Sequence, residues 1–489
     1  MVPQPRQRHV IAVPLATALG LLLALSTSIA LAVGLLQISA DPYTNSTSQH
    51  QTQLEPDTFS AGSTIVSAFQ SGRFFDGGAS NIGSSTSTDN GTTWTANFLP
   101  GTTPYATPAG IYQRVSDPSV AFDAKHAVWI INFLGLFPNG NLGEVDVLVS
   151  RSTDGGLTWG SPVVVNASGR FNDKNWIVCD DKPTSPFYGH CYGEWDDNSR
   201  GNLIQMSTST DGGLSWGPAQ STANSATGIG GQPLVQPGGT VIVPVDNAFE
   251  GAVLSFVSTN GGSSWSSTVT VAAIRHHSVA GGLRAPTLPT AEIDKAGKVY
   301  VVWSDCRFEA GCSANDLVMS HSIDGLTWTR VKRIPADPVG SGVDHFIPGL
   351  AVDKSTRGTT AHLILAYYYY PKANCSQSTC QLDVGYVSST DGSRTWTANA
   401  QLAGPMSLSW LANTNQGRMV GDYISSSFAG GRAYPVFANA SAPTGLTFHE
   451  AMFTVVGGVT IGDGNLFASG DGVVVSSQPT APSAPTTQQ

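Results

Sequence analysis

The sequence predicts an all-β protein built from repeated antiparallel units, and three observations lead to this fold class. A short turn motif that ends in Trp recurs six times along the 489 residues. Runs that alternate in the manner of strands, such as Val147–Arg151 and Leu203–Ser207, precede the copies. The chain contains 54 glycines and only 12% charged residues, a composition typical of short strands joined by tight turns.

The repeated motif has the form Ser-x-Asp-x-Gly-x-Ser/Thr-Trp, as in Ser152–Trp159. Its Asp carboxylate can accept hydrogen bonds from the backbone N–H groups that follow, which closes a turn. Its Gly supplies a positive φ that a side chain resists, and its Trp buries a large apolar surface between neighbouring units. Each copy is therefore predicted to connect two strands. The other copies are Ser87–Trp94, Ser209–Trp216, Ser258–Trp265, Ser322–Trp328 and Ser389–Trp396.

Three copies depart from the pattern. Asn260 replaces the Asp of the fourth copy, Ser322–Trp328 is one residue short, and Ser393 replaces the Gly of the sixth. We expect these turns to form as well, although less tightly.

The motif is an Asp box, and the chain resembles the sialidase-type (BNR-repeat) β-propellers. The resemblance implies a single β-propeller of four-stranded antiparallel blades. Seven sets of strands can be traced, of which the last, within Met419–Val455, has no Asp box and is short of its outer strand. We therefore expect seven blades, with six as the alternative. Ser46–Gln53 is expected to supply the missing strand and close the ring.

The two ends of the chain are expected to lie outside the propeller, which is assigned to residues 41–460. Residues 1–40 contain Arg6 and Arg8 followed by an uncharged stretch from Val10 to Ala40. This stretch is long enough for an N-terminal hydrophobic helix that anchors the protein in a membrane. Ala30–Ala32 also fits the cleavage site of a signal peptide. Both alternatives imply export. Residues 461–489 form an extension whose Pro/Ser/Thr/Gln-rich tail is expected to be disordered.

Charge and cysteine content narrow the partners and the compartment. The formal net charge of −10 argues against nucleic acid as a partner, because phosphate binding requires clustered Lys and Arg. The cysteines form three close pairs that are expected to be disulfides, which implies an extracytoplasmic location. No zinc-type ligand spacing is present, and we expect neither a metal nor a cofactor. The pairs are Cys179/Cys191, Cys306/Cys312 and Cys375/Cys380.

The candidate site is expected on the face opposite the Asp boxes. Loops between second and third strands and the connectors between blades meet on that face. The segment that holds Arg73 and Asp76 resembles the sialidase segment in which an Arg binds the substrate carboxylate and an Asp acts as general acid/base. Arg can pair with a carboxylate through two hydrogen bonds, and an acid catalyst needs a raised pKa. The alternative is that Arg73 only braces its loop, because Trp303–Arg307 repeats a similar pattern.

Further arginines fall just before inner strands on the same face. Together with Arg73, the residues Arg114, Arg284 and Arg418 are the predicted carboxylate-binding set. Tyr423 is the candidate nucleophile, because the resemblance implies a Tyr nucleophile assisted by a Glu. The family's Arg-x-Pro is missing, and Glu55-Pro56-Asp57 stands in its place. No Glu is placed to assist Tyr423. The alternative role of these arginines is pairing with Asp57, Asp117 and Asp422.

Other side chains on this face have an ordinary interpretation. His276-His277 and Asp344-His345 could hold a metal, but loop histidines in contact with solvent are the favoured interpretation. The aromatic run Tyr367–Tyr370 is interpreted either as core or as a sugar-stacking surface.

Two functions remain open from the sequence. The first is an exported glycoside hydrolase of exo-α-sialidase type that acts on extracellular glycans. The second is a non-catalytic propeller that binds a glycan or a protein at the cell surface. The missing Arg-x-Pro favours the second function, whereas the match at Arg73 and Asp76 favours the first.

Overall fold

The computed structural model describes residues 34–137 and 143–462, together with Met1. Most of the predicted N-terminal helix and all of the predicted C-terminal tail lie outside the described residues. At the end of the predicted N-terminal segment, Leu35–Gln37 form a strand and not a helix. Within the described part of the chain, no helix is long and apolar enough to cross a membrane.

Short strands make up almost all the regular structure of the described residues. The first fifteen are β1 (Leu35–Gln37), β2 (Gln53–Ala61), β3 (Thr64–Arg73), β4 (Ala79–Ser87), β5 (Thr95–Phe98), β6 (Arg114–Asp123), β7 (Val128–Leu136), β8 (Val145–Ser152), β9 (Val163–Asn166), β10 (Asn172–Cys179), β11 (Cys191–Asp197), β12 (Leu203–Ser209), β13 (Gly228–Ile229), β14 (Leu234–Val235) and β15 (Val241–Asn247). The next fifteen are β16 (Ala252–Ser258), β17 (Val269–Ala273), β18 (Thr290–Ile293), β19 (Val299–Asp305), β20 (Asp316–Ser322), β21 (Lys332–Arg333), β22 (Asp344–Val352), β23 (Leu363–Tyr370), β24 (Gln381–Ser389), β25 (Ala400–Ser407), β26 (Asn413–Thr414), β27 (Gly417–Arg418), β28 (Ser425–Ala429), β29 (Arg432–Thr444) and β30 (Thr447–Val455). Single-turn 3-10 helices lie at Asn198–Arg200, Ala280–Gly282, Ala310–Cys312, Gly358–Thr360 and Leu408–Trp410.

The strands form antiparallel meanders, as the alternating pattern predicts. Five sheets contain four or more strands: β2–β9 with eight, β13–β17 with five, and β18–β21, β22–β25 and β28–β30 with β1, each with four. The strands β10–β12 form a three-stranded sheet and β26–β27 a two-stranded one. The all-β propeller prediction is therefore confirmed at the level of its fold class.

The number of blades differs from the predicted seven. Two features of strand pairing account for the five blades observed as sheets of four or more strands. The pair Ala79–Val115 joins β4 to β6, so that the first two meanders share one sheet. The sheet β10–β12 has no fourth strand among the described residues, and the isolated bridges Leu203–Thr227 and Met206–Gln220 lie beside its outer edge.

The last sheet is completed by a different segment from the one predicted. Leu35–Gln37 pairs with Phe453–Val455 at the edge of β30, and this places β1 beside the last strand of the described chain. In the predicted segment Ser46–Gln53, Gln53 begins β2, and the rest contributes the isolated bridges Ser48–Phe74 and Thr52–Glu450. The sheet arrangement thus begins at Leu35, before the predicted boundary at residue 41.

The Asp boxes form the predicted turns. In Ser152–Trp159, Asp154 Oδ1 accepts hydrogen bonds from the backbone N–H of Leu157 at 3.2 Å and of Thr158 at 2.9 Å. The Ser152 hydroxyl binds the same carboxylate at 2.7 Å and accepts from Gly156 N–H at 2.9 Å. Gly156 has a φ of 84°, and a Cβ there would lie 2.6 Å from Val66 Cγ2. The turn therefore requires Gly both for conformation and for packing.

The irregular boxes keep this geometry. Asn260 Oδ1 accepts from Ser264 N–H at 3.0 Å, as an Asp would. Ser393 takes a φ of 73°, in the left-handed region that the glycines of other boxes occupy. Trp159 is buried and donates its indole N–H to Ser84 Oγ at 3.1 Å.

The cysteine pairs and the aromatic run have structural roles. All three predicted disulfides are present: Cys179–Cys191, Cys306–Cys312 and Cys375–Cys380. They suggest an extracytoplasmic location. The side chains of Tyr367, Tyr368 and Tyr370 are fully buried in β23, so these rings belong to the core and offer no sugar-stacking surface.

Candidate functional site

A large cleft opens where β-bulges redirect three inner strands. The register of β2 shifts between Leu54 and Asp57, that of β6 between Ser116 and Ser119, and that of β10 between Asp173 and Trp176. Each bulge contains a residue of positive φ, namely Glu55 at 56°, Asp117 at 50° and Lys174 at 41°. All three residues line the same cleft. A bulge re-aims a side chain relative to the regular strand, and here it brings charged groups from three strands together.

The cleft has a volume of about 760 Å³ and is rich in ionisable groups. Its cationic lining residues are Arg73, Arg114, Lys174 and Arg284. Its acidic lining residues are Glu55, Asp76, Asp117, Glu144, Asp173, Glu250 and Asp422. Acids outnumber bases in the lining, so an anionic ligand gains less here than in a site lined only by arginines.

Three of the four predicted arginines line the cleft, and the fourth does not. Arg73 is buried and donates to Gly78 O at 2.9 Å and to Gln70 Oε1 at 3.3 Å. Arg418 instead donates to Leu411 O at 2.6 Å and is absent from the cleft lining. The predicted set of four is therefore reduced to three.

The other two arginines each pair with an acid. Arg114 forms an ion pair with Asp76 at 2.7 Å. Arg284 forms an ion pair with Asp422, and the neighbouring carboxylates raise its pKa although burial opposes this. The Arg284–Asp422 pair is of the kind considered as the alternative role for the arginines, whereas Asp76, the partner of Arg114, was not among the acids named there.

Asp76 lines the cleft but lacks the environment of an acid catalyst. Its side chain is 60% exposed. Slight burial raises its pKa, but the hydrogen bond and the charge of Arg114 lower it more, and the net shift is downward. A lowered pKa keeps the carboxyl ionised at neutral pH, whereas proton donation needs a raised one.

Tyr423 is not placed as a nucleophile. Its hydroxyl donates to Pro118 O at 2.9 Å, and its ring packs edge-on to Trp176 with centroids 5.3 Å apart. The ring lies 3.7 Å from Lys174 Nζ. Burial, followed by the charges of the surrounding acids, raises its pKa well above 10.0. Among the described residues that line the cleft, none is a Tyr.

Glu55 is the functional candidate that the sequence interpretation missed. Its side chain is 2% exposed and accepts a hydrogen bond from the Gln70 amide. Burial, with smaller contributions from Asp117 and Asp422, raises its pKa to about 8. The carboxyl is therefore protonated at neutral pH. In the sequence, Glu55 was visible only as part of Glu55-Pro56-Asp57, which replaces the family's Arg-x-Pro. That replacement indicated the loss of an arginine and not the presence of an acid catalyst.

Asp422 lies beside Glu55 and carries a free oxygen. Its backbone N–H donates to Glu55 Oε1 at 3.3 Å. Its Oδ2 binds Arg284, while its buried Oδ1 has no hydrogen-bond partner among the described residues. Gly421 allows this approach, because its φ is 119° and a Cβ would lie 2.8 Å from Glu55 N.

A second group of acids continues from the cleft into the interior. Burial and the charge of Asp117 raise the pKa of Asp173 to about 7. Behind it, Glu194 and Asp196 are fully buried, and burial raises the pKa of both well above the ordinary values. The carboxyl of Asp196 has no hydrogen-bond partner among the described residues. Of these three acids only Asp173 lines the cleft.

Residues 140–349 match the BNR repeat-like domain family. The predicted resemblance is confirmed. The matched range contains the cleft residues Asp173 and Arg284. No functionally curated protein matches the sequence.

Several solved structures are similar in fold. The alignment with the Hadza microbial sialidase Hz136 has 16% identity and a TM-score of 0.43, and covers 72% of this chain and 66% of that chain, slightly less than two thirds of its length. The NanB sialidase from Streptococcus pneumoniae aligns at 15% identity over 86% of this chain and 70% of that chain, with a TM-score of 0.44. The α-L-arabinanase of Penicillium chrysogenum aligns at 12% identity over 87% of this chain and 98% of that chain, with a TM-score of 0.44. At these values the likeness carries no information on substrate.

Proposed function

We propose that the protein is an exported glycoside hydrolase that acts on extracellular glycans, with Glu55 and Asp422 as its catalytic carboxyls. The observation that carries the proposal is the pairing, in one cleft, of a carboxyl that holds its proton at neutral pH with a carboxylate bound to an arginine. Most glycoside hydrolases use two carboxyl groups with different protonation states. A carboxyl that keeps its proton, next to a carboxylate held by an arginine, is the arrangement expected of an acid catalyst and its charged partner.

In this proposal each carboxyl has a separate task. Glu55 donates its proton to the glycosidic oxygen while the bond from that oxygen to the anomeric carbon breaks. A water molecule then adds to that carbon and returns a proton to Glu55. The carboxylate of Asp422, which lines the same cleft, stabilises the positive charge that develops at the anomeric carbon. Arg284 is a positioning residue, because it holds the other oxygen of Asp422.

The charges of the cleft favour a neutral sugar over sialic acid. Two of the cationic lining residues already pair with Asp76 and Asp422. Arg73 is buried against Gly78 O. The sialidase-type alternative needs Tyr423 as nucleophile, and its hydroxyl is bound to Pro118 O. The burial of Arg73 and the bound hydroxyl of Tyr423 also favour the second candidate function, a glycan-binding propeller without activity.

The first experiment measures hydrolysis of an aryl-glycoside panel, with an α-sialoside among the substrates, by the purified full-length chain. For the substrate that is turned over, we expect Glu55→Gln to lower kcat by about 100-fold or more, because a positioned acid contributes roughly 10²–10⁴-fold. A dinitrophenyl leaving group, which departs without protonation, should restore much of this loss. Wild-type activity should fall as the pH rises through about 8, where Glu55 loses its proton.

The matched control is Glu450→Gln. Glu450 is also buried, and its pKa is also raised to about 8, but it does not line the cleft. Its substitution should leave kcat unchanged. Turnover of no substrate would favour the binding propeller, and turnover of the sialoside alone, lost in Tyr423→Phe, would favour the sialidase-type mechanism.

A further inference from the structure

A second cluster of ligand-type side chains lies outside the cleft. Asp316 begins β20, Asp337 lies in the connector after β21, and His345 lies in β22. One nitrogen or oxygen of each residue lies within 4.8 Å of those of the other two. None of the three lines the cleft. The sequence grouped His345 with Asp344 and the His276-His277 pair, whereas the fold brings it to two other aspartates.

The tautomer of His345 leaves one ring nitrogen free to bind a ligand. His345 is 1% exposed, and its Nδ1 lies 3.1 Å from Asn315 O. A carbonyl only accepts hydrogen bonds, so Nδ1 carries the hydrogen. In the neutral imidazole the other ring nitrogen, Nε2, then keeps an unshared electron pair. This Nε2 has no hydrogen-bond partner and lies 3.8 Å from Asp337 Oδ1. A histidine that binds metal commonly donates its other N–H to a carbonyl in this way.

The two carboxylates are held in place by one arginine. Arg333 Nε donates to Asp316 Oδ1 at 2.6 Å, and its Nη2 donates to Asp337 Oδ1 at 2.8 Å. Asp316 Oδ2 is buried and has no hydrogen-bond partner among the described residues. Buried polar atoms are normally partnered. Two unpartnered atoms, on Asp316 and His345, therefore belong to the same cluster.

The charge around the cluster favours a cation. Asp316, Asp337 and Glu309 supply three carboxylates against the single guanidinium of Arg333. Glu309 is bound to the connector that carries Asp337, at Gly340. Its oxygens accept from Gly340 N–H at 3.0 and 3.1 Å, which fixes the carboxylate beside the cluster.

We propose that Asp316, Asp337 and His345 bind a zinc ion. One imidazole and two carboxylates are suitable ligands for zinc, which binds nitrogen and oxygen ligands and is usually four-coordinate. Calcium and magnesium prefer oxygen ligands alone. Three protein ligands leave a fourth position for water. The ion would connect the sheet β18–β21 to the sheet β22–β25, and its binding would therefore stabilise the contact between these sheets.

The experiment uses the full-length chain after treatment with a chelator. Zinc sulfate is titrated by calorimetry, and cobalt chloride is titrated by visible absorption, which reports nitrogen and oxygen ligation. We expect one tight zinc ion per chain and a rise in the thermal unfolding midpoint that saturates at one equivalent. His345→Gln and Asp337→Asn should each weaken zinc binding by at least about tenfold, the lower end of the loss caused by removing even a supporting residue.

The matched control is His321→Gln, because His321 lies in β20 but outside the cluster. It should bind zinc as tightly as the wild type. If His345→Gln does not fold, the partly buried Asp337 provides the deciding variant. Failure of the wild type to bind zinc, equal binding by Asp337→Asn, or tighter binding of calcium than of zinc would overturn the proposal. None of these outcomes depends on glycosidase activity.

Discussion

Acidic side chains have pKa values shifted in opposite directions in the Asp boxes and in the cleft. Asp154 is exposed at the tip of a turn. Slight burial raises its pKa, but hydrogen bonds from Thr158 and its neighbours have the larger effect and lower the pKa to about 2. Glu55 is buried beside other acids, and its pKa is raised to about 8. The box carboxylate stabilises a turn by remaining ionised, whereas the cleft carboxyl holds a proton that it can give away. Position in the fold, and not residue type, decides which acids can do chemistry.

The two regions also differ in how they use repetition. The box recurs with the same contacts in turn after turn, even where Asn260 replaces the Asp. The bulged residues of the inner strands differ from one strand to the next: Glu55, Asp117 and Lys174. The repeated part of the sequence therefore identifies the scaffold, and the non-repeated part at equivalent positions identifies the site.

The largest expected effect comes from neutralising the cleft acid. Because the folded-state pKa of Glu55 lies above 4.5, the folded protein binds this proton more tightly than the unfolded chain does. The associated stability is present at low pH and is lost as the pH rises from about 4.5 to about 8. We therefore expect Glu55→Gln to raise the free energy of unfolding at pH 8 by on the order of 1–3 kcal/mol relative to the wild type.

Urea unfolding at pH 5 and at pH 8 measures this difference. The gain of Glu55→Gln over the wild type should be smaller at pH 5, where both carry a neutral side chain. An equal gain at the two pH values would show that the pKa of Glu55 is not raised, and would remove its role as acid.

An intermediate effect of the opposite sign is expected in the Asp box. Asp154→Ala removes the acceptor for two backbone N–H groups and for the hydroxyls of Ser152 and Thr158. We expect a loss of about 1–2 kcal/mol in the free energy of unfolding, similar to the loss of a helix N-cap. Asp154→Asn is the matched control, because Asn260 already serves in one box. It should cost less than Asp154→Ala, and equal losses would contradict the hydrogen-bond account.

The sequence was sufficient for the scaffold because the box is local. Its Ser, Asp, Gly and Trp make their contacts within one turn and the neighbouring unit, so that spacing alone predicts them. The closing strand Leu35–Gln37 could not be found in this way. Three residues show no alternation, and they lie in an apolar stretch that resembles an export segment.

The cleft was predictable only in part, because its contacts join residues that are distant along the chain. Strand order alone was sufficient to bring Arg73, Arg114 and Arg284 to one face. The direction of each side chain could not be predicted from the sequence. Arg418 and Tyr423 illustrate this, because each donates a hydrogen bond to a backbone carbonyl away from the cleft. The raised pKa of Glu55 depends on burial and on Asp117 and Asp422, which are distant along the chain.

The smallest expected effect is that of Tyr423→Phe, and it separates the two mechanisms. The substitution removes the hydrogen bond to Pro118 O, which should cost about 1 kcal/mol in the free energy of unfolding. If Glu55 and Asp422 carry the reaction, kcat changes by no more than about twofold, since the hydroxyl does not touch the substrate. A nucleophilic Tyr would instead make kcat fall by several orders of magnitude, because the covalent step would be lost. Parallel measurement of kcat and of urea unfolding distinguishes these outcomes, because only the first depends on which group attacks the sugar.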